Sequence, residues 1–548
     1  MKLRSIGCAL GFAVMASAAW AGGYEKSIVV SGISGAAPGI TPHGISGLNF
    51  GKDGKLYAGS VIGPGVYRVD VKTGAVDEVV AGMVGESDDV AMGPDGTLVW
   101  TAILSGELRA KRPNGTIDVI AKSLPMINPV NFTSEGRLFT GQIAKPDTLI
   151  EIDITGKKPP RTVASDMGGI NAFVDDGLRG EKAGLYVPLA DKGAVGRIDL
   201  ATGNLRIVAD GLGQPVSVKR DSHGGLVTLD WTTGRVSHVN AESGETQRIT
   251  TVPPPLDNLA IGPDDTIYVS RPTDNSIIAV HPATGKQTPI VQGKLSAPGG
   301  LALMQRDGKP ALIVSDAYGY RYADLQTGDV ELLPFDLAAN ASTAVAVTAK
   351  HIILSYVRRP SVTVIDRASG RVSKALSGFN VPMGVAANDS GDIFVADYGS
   401  GEILQLMPGA TPDRKVVASG LQGPVGLALD QTGHLYVSEA ASGTISRIEI
   451  ATQSKDVLVE GLSQPEGLAL LPGGKIAVAE VGARRLSVVE ATKASRVVVA
   501  DNLAVGAVFT RAPAPVYLPT GVAADERGAI YITCDGDNTV LKFTPTSP

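Results

Sequence analysis

Residues 421–461 read LQGPVGLALDQTGHLYVSEAASGTISRIEIATQSKDVLVEG. Gly426 to Asp430 alternates apolar and small residues as a strand does, Gln431-Thr432-Gly433 is a hairpin turn, and His434 to Glu439 is a second strand. Thr444 to Ile450 and Asp456 to Glu460 are the third and fourth, with no amphipathic helical period between them. Four short strands with two unpaired edges cannot bury an apolar face alone, so such a unit must stack on others like itself.

Working outward, the same unit recurs about every 40 to 45 residues, the range of four-stranded propeller blades. Its turn signal returns as Lys52-Asp53-Gly54, Pro94-Asp95-Gly96, Ser134-Glu135-Gly136, Pro472-Gly473-Gly474 and Glu526-Arg527-Gly528, among others, to a total of about twelve. A ring of twelve blades is unusual, and two rings of six are the better division. The expected fold is therefore all-β, two tandem six-bladed β-propellers, each closed by an N-terminal fourth strand. Lys26 to Ser31 is expected to close a first ring that ends at Ser276 to His281, and Gln287 to Gln292 to close a second that ends at Thr539 to Thr544. The domains then read 1–21 leader, 22–284 first propeller and 285–548 second propeller.

The first residues carry a secretory signal: basic Lys2 and Arg4, an apolar run from Ile6 to Ala16, and the small-x-small site Ala19-Trp20-Ala21. Its removal discards Cys8 and leaves Cys534 alone, so no internal disulfide is available and stability must come from packing. It also takes the net charge from −6 to about −8, which argues against nucleic acid as a partner. No later stretch reaches the roughly 18 apolar residues of a membrane span. A periplasmic or secreted protein is expected.

In stacked blades the first strand lies innermost, so residues just before each first strand converge although they are far apart in sequence. In the first ring these are Ser46, Asp88, Asn128, Asn171, Val216 and Asp257. Taken singly, Asp or Asn at a strand entrance usually caps a turn. Together, Asp88, Asn128, Asn171 and Asp257 form a hard, oxygen-only set of charge −2 that suits Ca2+, with another divalent cation as the alternative. The absence of a His or Cys cluster disfavours zinc. In the second ring the equivalent positions are Gly299, Thr343, Met383, Val425, Glu466 and Thr520, and one carboxylate makes no metal site.

Gly85-Glu86-Ser87-Asp88-Asp89-Val90, followed by Gly93-Pro94-Asp95-Gly96, resembles the first calcium-ligand motif of paraoxonases, with Asp88 where that family has Glu. Gly169-Ile170-Asn171 and Leu256-Asp257-Asn258-Leu259 are similar to their Asn and Asp-Asn ligand motifs, and Pro42-His43-Gly44-Ile45-Ser46 resembles the stretch bearing a catalytic His. His43 here precedes the acidic blade, whereas in that family the His blade follows it. The superfamily of gluconolactonases and senescence marker proteins uses a comparable Glu, Asn, Asn and Asp set. The resemblance covers roughly residues 22–285, through short motifs, and implies metal-dependent hydrolysis of a lactone or related ester. Asp257 or His43 would take the proton from water, and no Gly-x-Ser-x-Gly elbow suggests a covalent route. Loops between second and third strands offer Trp231 for stacking and Arg271 for a carboxylate on a small-molecule substrate. Tyr318, Tyr320 and Tyr322 offer the second ring an aromatic surface for a protein or glycan partner. Two other readings stay open: a non-enzymatic binding propeller with NHL-type repeats, and an elimination enzyme like the streptogramin lyases.

Overall fold

The computed structural model describes residues 23–546 apart from 38, 40, 64, 82–85, 332–341, 408–413, 491–494 and 508–517. The leader expected over 1–21, Cys8 and Gly85 lie outside the described residues. The chain is all-β and propeller-like: twelve antiparallel sheets, eleven of them four-stranded and one three-stranded among the described residues. The founding repeat folds as read, with strands Pro424–Leu429, His434–Glu439, Thr444–Glu449 and Lys455–Val459 joined in order. Its first turn is held by the Asp430 carboxylate, which accepts from the amides of Thr432 and His434. Helical structure is confined, among the described residues, to short 3-10 turns, and no helix is long and apolar enough to cross a membrane.

Inner strands touch inner strands in two circuits. The first runs from Ile45–Phe50 through Ser87–Met92, Ile127–Phe132, Val174–Asp175, Pro215–Arg220 and Leu259–Ile261, then back to Ile45–Phe50. The second runs from Pro298–Arg306 through Ser342–Val347, Pro382–Ala387, Pro424–Leu429, Pro465–Leu471 and Val522–Ala524, then back to Pro298–Arg306. Apolar side chains fill the seams between neighbouring sheets. Leu48, Leu56 and Tyr67 of one sheet pack with Tyr268, Ile277 and Val291 of the sheet that closes the first circuit. Each such buried aliphatic residue contributes roughly 1.5–3 kcal/mol, so a seam of this size outweighs the cost of bringing distant sheets together.

The expected ring closures need correction. Gln287–Val291 does not leave for a second ring; it pairs antiparallel with Ser276–Val280, Gln287 opposite Val280 and Val291 opposite Ile277. Tyr24–Val30 does not close the first circuit; it pairs with Thr539–Pro545, from Tyr24 opposite Pro545 to Val30 opposite Val540. The reason is loop length. A tight turn over 281–286, with the Gly285 amide donating to the His281 carbonyl, hands the chain directly into its own hairpin, whereas the expected arrangement would have passed over that local pairing for one between distant segments. The first circuit thus lies wholly within 45–291, and the second borrows its last strand from the start of the described chain. The boundary at 284/285 accordingly moves past Val291.

The two circuits touch through loops of their first and last sheets. The Asn538 side-chain amide donates to the Pro42 carbonyl at 3.1 Å, and the Arg321 guanidinium, 2% exposed, donates to the Thr273 carbonyl at 3.1 Å. Ala297, Ala317 and Leu518 pack there with Ile62 and Tyr318.

Candidate functional site

Four of the six inner strands of the first circuit carry a register shift near their start, between Ile45 and Leu48, Ser87 and Val90, Ile127 and Val130, and Pro215 and Ser217. Such bulges turn the residues at the strand entrance toward the lumen. Ser46, Asp88 and Asn128 are buried, while Asn171, Val216 and Asp257 keep some surface. The Ser46 hydroxyl donates to the Asp88 carbonyl at 2.7 Å, and the Thr101 hydroxyl to the Asn128 carbonyl at 2.6 Å, which ties neighbouring entrances together. Glu86, 1% exposed, holds a φ of 44°, a strained conformation two residues before Asp88.

Asp88 and Asp257 influence each other across the Ser46 strand, which packs between theirs. Burial first, then the charges of Asp257 and Asp89, hold Asp88 well above the usual carboxylate range. Burial and the Asp89 charge push Asp257 up to about 7. Among the described residues neither carboxylate has a cation beside it in an ion pair. Two desolvated, unpaired acids are costly and call for a cation or a shared proton. The Asn171 side-chain oxygen already accepts the Ala172 amide, and so offers its remaining lone pair.

The neighbours Asp89, Asn131 and Asn258 do a different job. The Asp89 carboxylate accepts from the amides of Val90 and Val130 and from the Asn258 side chain at 3.1 Å, while Asn258 in turn accepts from the Ser217 hydroxyl. Asn131 donates to the Phe173 carbonyl, as does the buried Lys219 at a longer 3.4 Å. Burial lowers the Lys219 pKa, opposed by Asp89. This layer is a satisfied polar plug that crosses the lumen and fixes the inner strands; Lys219, its one cation among the described residues, escapes a reading confined to strand entrances because it lies inside Pro215–Arg220.

His43 is turned away from this set. Its Nε2–H donates to the Asp535 carbonyl of the second circuit at 2.5 Å, and burial pushes its pKa down to about 4, so it stays neutral at pH 7. Arg271 is engaged by Asp274 through two contacts at 2.9 and 2.5 Å, and its side chain is 12% exposed. Its guanidinium charge is therefore already matched, which leaves little for a substrate carboxylate. The Trp231 indole donates to the Gln214 side chain at 3.0 Å, leaving the ring part-exposed at a loop. In the second circuit Met383 and Val425 are buried with Val357, and Glu466 accepts the Thr520 amide at 2.7 Å, so that lumen is largely apolar. The void beside it is about 60 Å3.

One residue at the site comes from the other circuit. Tyr318 stands at the tip of the tight hairpin between Lys309–Asp316 and Gly319–Asp324, and the space an added Gly44 Cβ would occupy lies 2.8 Å from its hydroxyl. Burial, then Asp257, then Asp88, raise its pKa well above 10. Nothing in the repeat period signals this, because the approach depends on how the two circuits touch.

No family model matches the chain, and no curated protein matches it either. Among solved structures, the extracellular domain of BT4673 from B. thetaiotaomicron is similar over 96% of this chain and 78% of its own, at 12% identity and a TM-score of 0.33. That likeness is too loose to carry an argument. Among the described residues no group of three or more His, Cys, Asp or Glu could hold a metal ion. The donors fit a hard divalent cation only as two carboxylates supplemented by amide oxygens and water.

Proposed function

We propose that the chain is an exported protein of two tandem six-bladed β-propellers, and that the lumen of the first is the site of a divalent-cation-dependent hydrolase of lactones or related esters. The observation that carries this reading is the pair Asp88 and Asp257, desolvated, mutually repelling and without a cationic neighbour in an ion pair among the described residues. Asp88 and Asp257, with the side-chain oxygens of Asn128 and Asn171, would hold the ion, Ca2+ by preference for an all-oxygen set. The chemistry such an ion supplies when bound is polarisation of a carbonyl and neutralisation of the charge that develops on it.

The remaining work falls to the chain itself. Asp257 is the carboxylate with surface open to the lumen, so it is the group placed to take a proton from water at its Oδ. His43, donating to Asp535, holds the two propellers together in this reading and leaves the proton to Asp257. The polar plug around Asp89 keeps the floor of the lumen fixed. Trp231 offers a flat apolar face at the rim. The second propeller, with its apolar lumen, serves as a supporting and partner-binding module, for a protein or a glycan.

The test is calcium calorimetry on the mature protein and on the Asp88→Ala/Asp257→Ala variant, with a panel of lactones and aryl esters assayed on both. One-site binding and hydrolysis, both lost in the variant, are expected. Binding without turnover would leave a structural ion, and no binding at all would sink the hydrolase and favour a non-enzymatic binding propeller.

A further inference from the structure

Three observations place a second-propeller side chain over the first-propeller lumen. The Asp316–Gly319 hairpin tip is rigid: the Asp316 carboxylate accepts from the amides of Ser296 at 2.9 Å and Tyr318 at 3.3 Å, and the Ala317 amide donates to the Ala297 carbonyl. Buried Arg321 clamps the same hairpin from below, donating to the Tyr320 carbonyl at 3.0 Å and across the interface to Thr273 at 3.1 Å. Finally, Gly44 lies directly under the phenol, with 2.8 Å from its Cβ position to the hydroxyl and 3.2 Å to Cε2, a space that any larger residue would fill. The chain runs from Gly44 to Ser46, whose hydroxyl is bonded to the Asp88 main-chain carbonyl, so the phenol stands over the strand entrance that adjoins that of Asp88.

We propose that the site is composite: the Tyr318 hydroxyl of the second propeller forms the roof of the Asp88–Asp257 pocket and acts there as a hydrogen-bond donor to the oxygen ligand that occupies it. This deepens the cation-dependent reading above and rests on it. The chemistry is consistent. A phenol is neutral at pH 7 and donates where carboxylates only accept, so Tyr318 adds a hydroxyl donor to the side-chain amides of Asn128 and Asn171.

The experiment uses Tb3+ as the calcium surrogate, because its emission is sensitised by tyrosine only at close range. Full-length mature protein, Tyr318→Phe, Tyr320→Phe and Asp88→Asn are titrated with Tb3+ under excitation of tyrosine, and binding is measured in parallel by calorimetry. Expected is sensitised emission in the wild type and in Tyr320→Phe, with most of it lost in Tyr318→Phe although affinity there changes less than about tenfold. Tyr318→Trp, which keeps an aromatic ring in the hairpin tip, should shift sensitisation to tryptophan excitation, and serves if Tyr318→Phe folds poorly. Undiminished emission in Tyr318→Phe with Tb3+ still bound would overturn the composite site and leave the cation reading intact. No Tb3+ binding, or binding indifferent to Asp88→Asn, would overturn the cation reading and the roof with it.

Discussion

Glu466 sits at a strand entrance of the second circuit, as Asp88 and Asp257 do in the first, but its surroundings give it a different life. Its neighbours in the lumen are Met383 and Val425, its Oε2 accepts the Thr520 amide, and burial, with a smaller contribution from Asp535, pushes its pKa up to about 8 against an ordinary 4.5. The folded state therefore binds a proton here that the unfolded state releases. The resulting stability is fully present below about pH 4.5 and is lost as pH rises through about 8, at up to roughly 1.4 kcal/mol per unit. Glu466→Gln keeps an acceptor for Thr520 and carries no charge. Its urea midpoint should match the wild type near about pH 5 and exceed it near about pH 8, a gap of a few kcal/mol at most. Parallel pH profiles for the two proteins would show that Glu466 is not held neutral. Asp535, itself raised to about 7, titrates in both proteins, and its coupling to Glu466 adds a smaller share to the difference.

At the scale of elements, Tyr24–Val30 decides which circuit depends on the first strand of the described chain. It covers the outer edge of Thr539–Pro545, and Val30, fully buried, packs with Leu295, Leu312, Tyr531 and Val540. Removing residues 22–31 should expose that edge and cost several kcal/mol, since one buried aliphatic side chain alone is worth about 2. Amide exchange is expected to speed up across Ile530–Cys534 and Thr539–Pro545 and to stay slow across Ser276–Val280. The opposite pattern would restore the closure expected from the sequence. That expectation failed for a physical reason: the repeat identifies fourth-type strands, but Tyr24–Val30 and Gln287–Val291 both fit either edge, and only the tight turn at 281–286 decides between them. The individual strands and the convergence of Asp88 with Asp257 were legible because one period generates both. Tyr318 was not, because its hairpin tip meets Gly44 through packing between the two circuits. Nor were the engagements of His43 with Asp535 and Arg271 with Asp274, since a residue type does not reveal which neighbour will already have claimed it.

At the scale of the molecule, the corrected closure makes the first circuit an insertion between the strands of the sheet that closes the second. The chain lays down Tyr24–Val30, completes the first circuit between 45 and 291, and only then builds the second, whose last sheet waits for the strand made at the outset. The ends meet there: the Thr546 amide donates to the Gly23 carbonyl at 2.7 Å. Because Tyr24 lies opposite Pro545 in an antiparallel pair, a short turn could join Thr546 to Tyr24 and convert a pairing between chain ends into an ordinary hairpin. The first circuit, residues 32–293, should then fold alone, since its seams, including the one that joins Leu48 to Tyr268, are made from its own sheets. Residues 294–546 should fold poorly alone and cooperatively when residues 24–31 are appended after an Asn-Gly turn. Thermal unfolding of the three polypeptides by circular dichroism tests this. Cooperative melting of 294–546 without the appended strand would show that closure by Tyr24–Val30 is dispensable. The separated first circuit should also melt below its transition in the full chain, because it loses the Asp535 and Arg321 contacts to His43 and Thr273 and exposes Ile62.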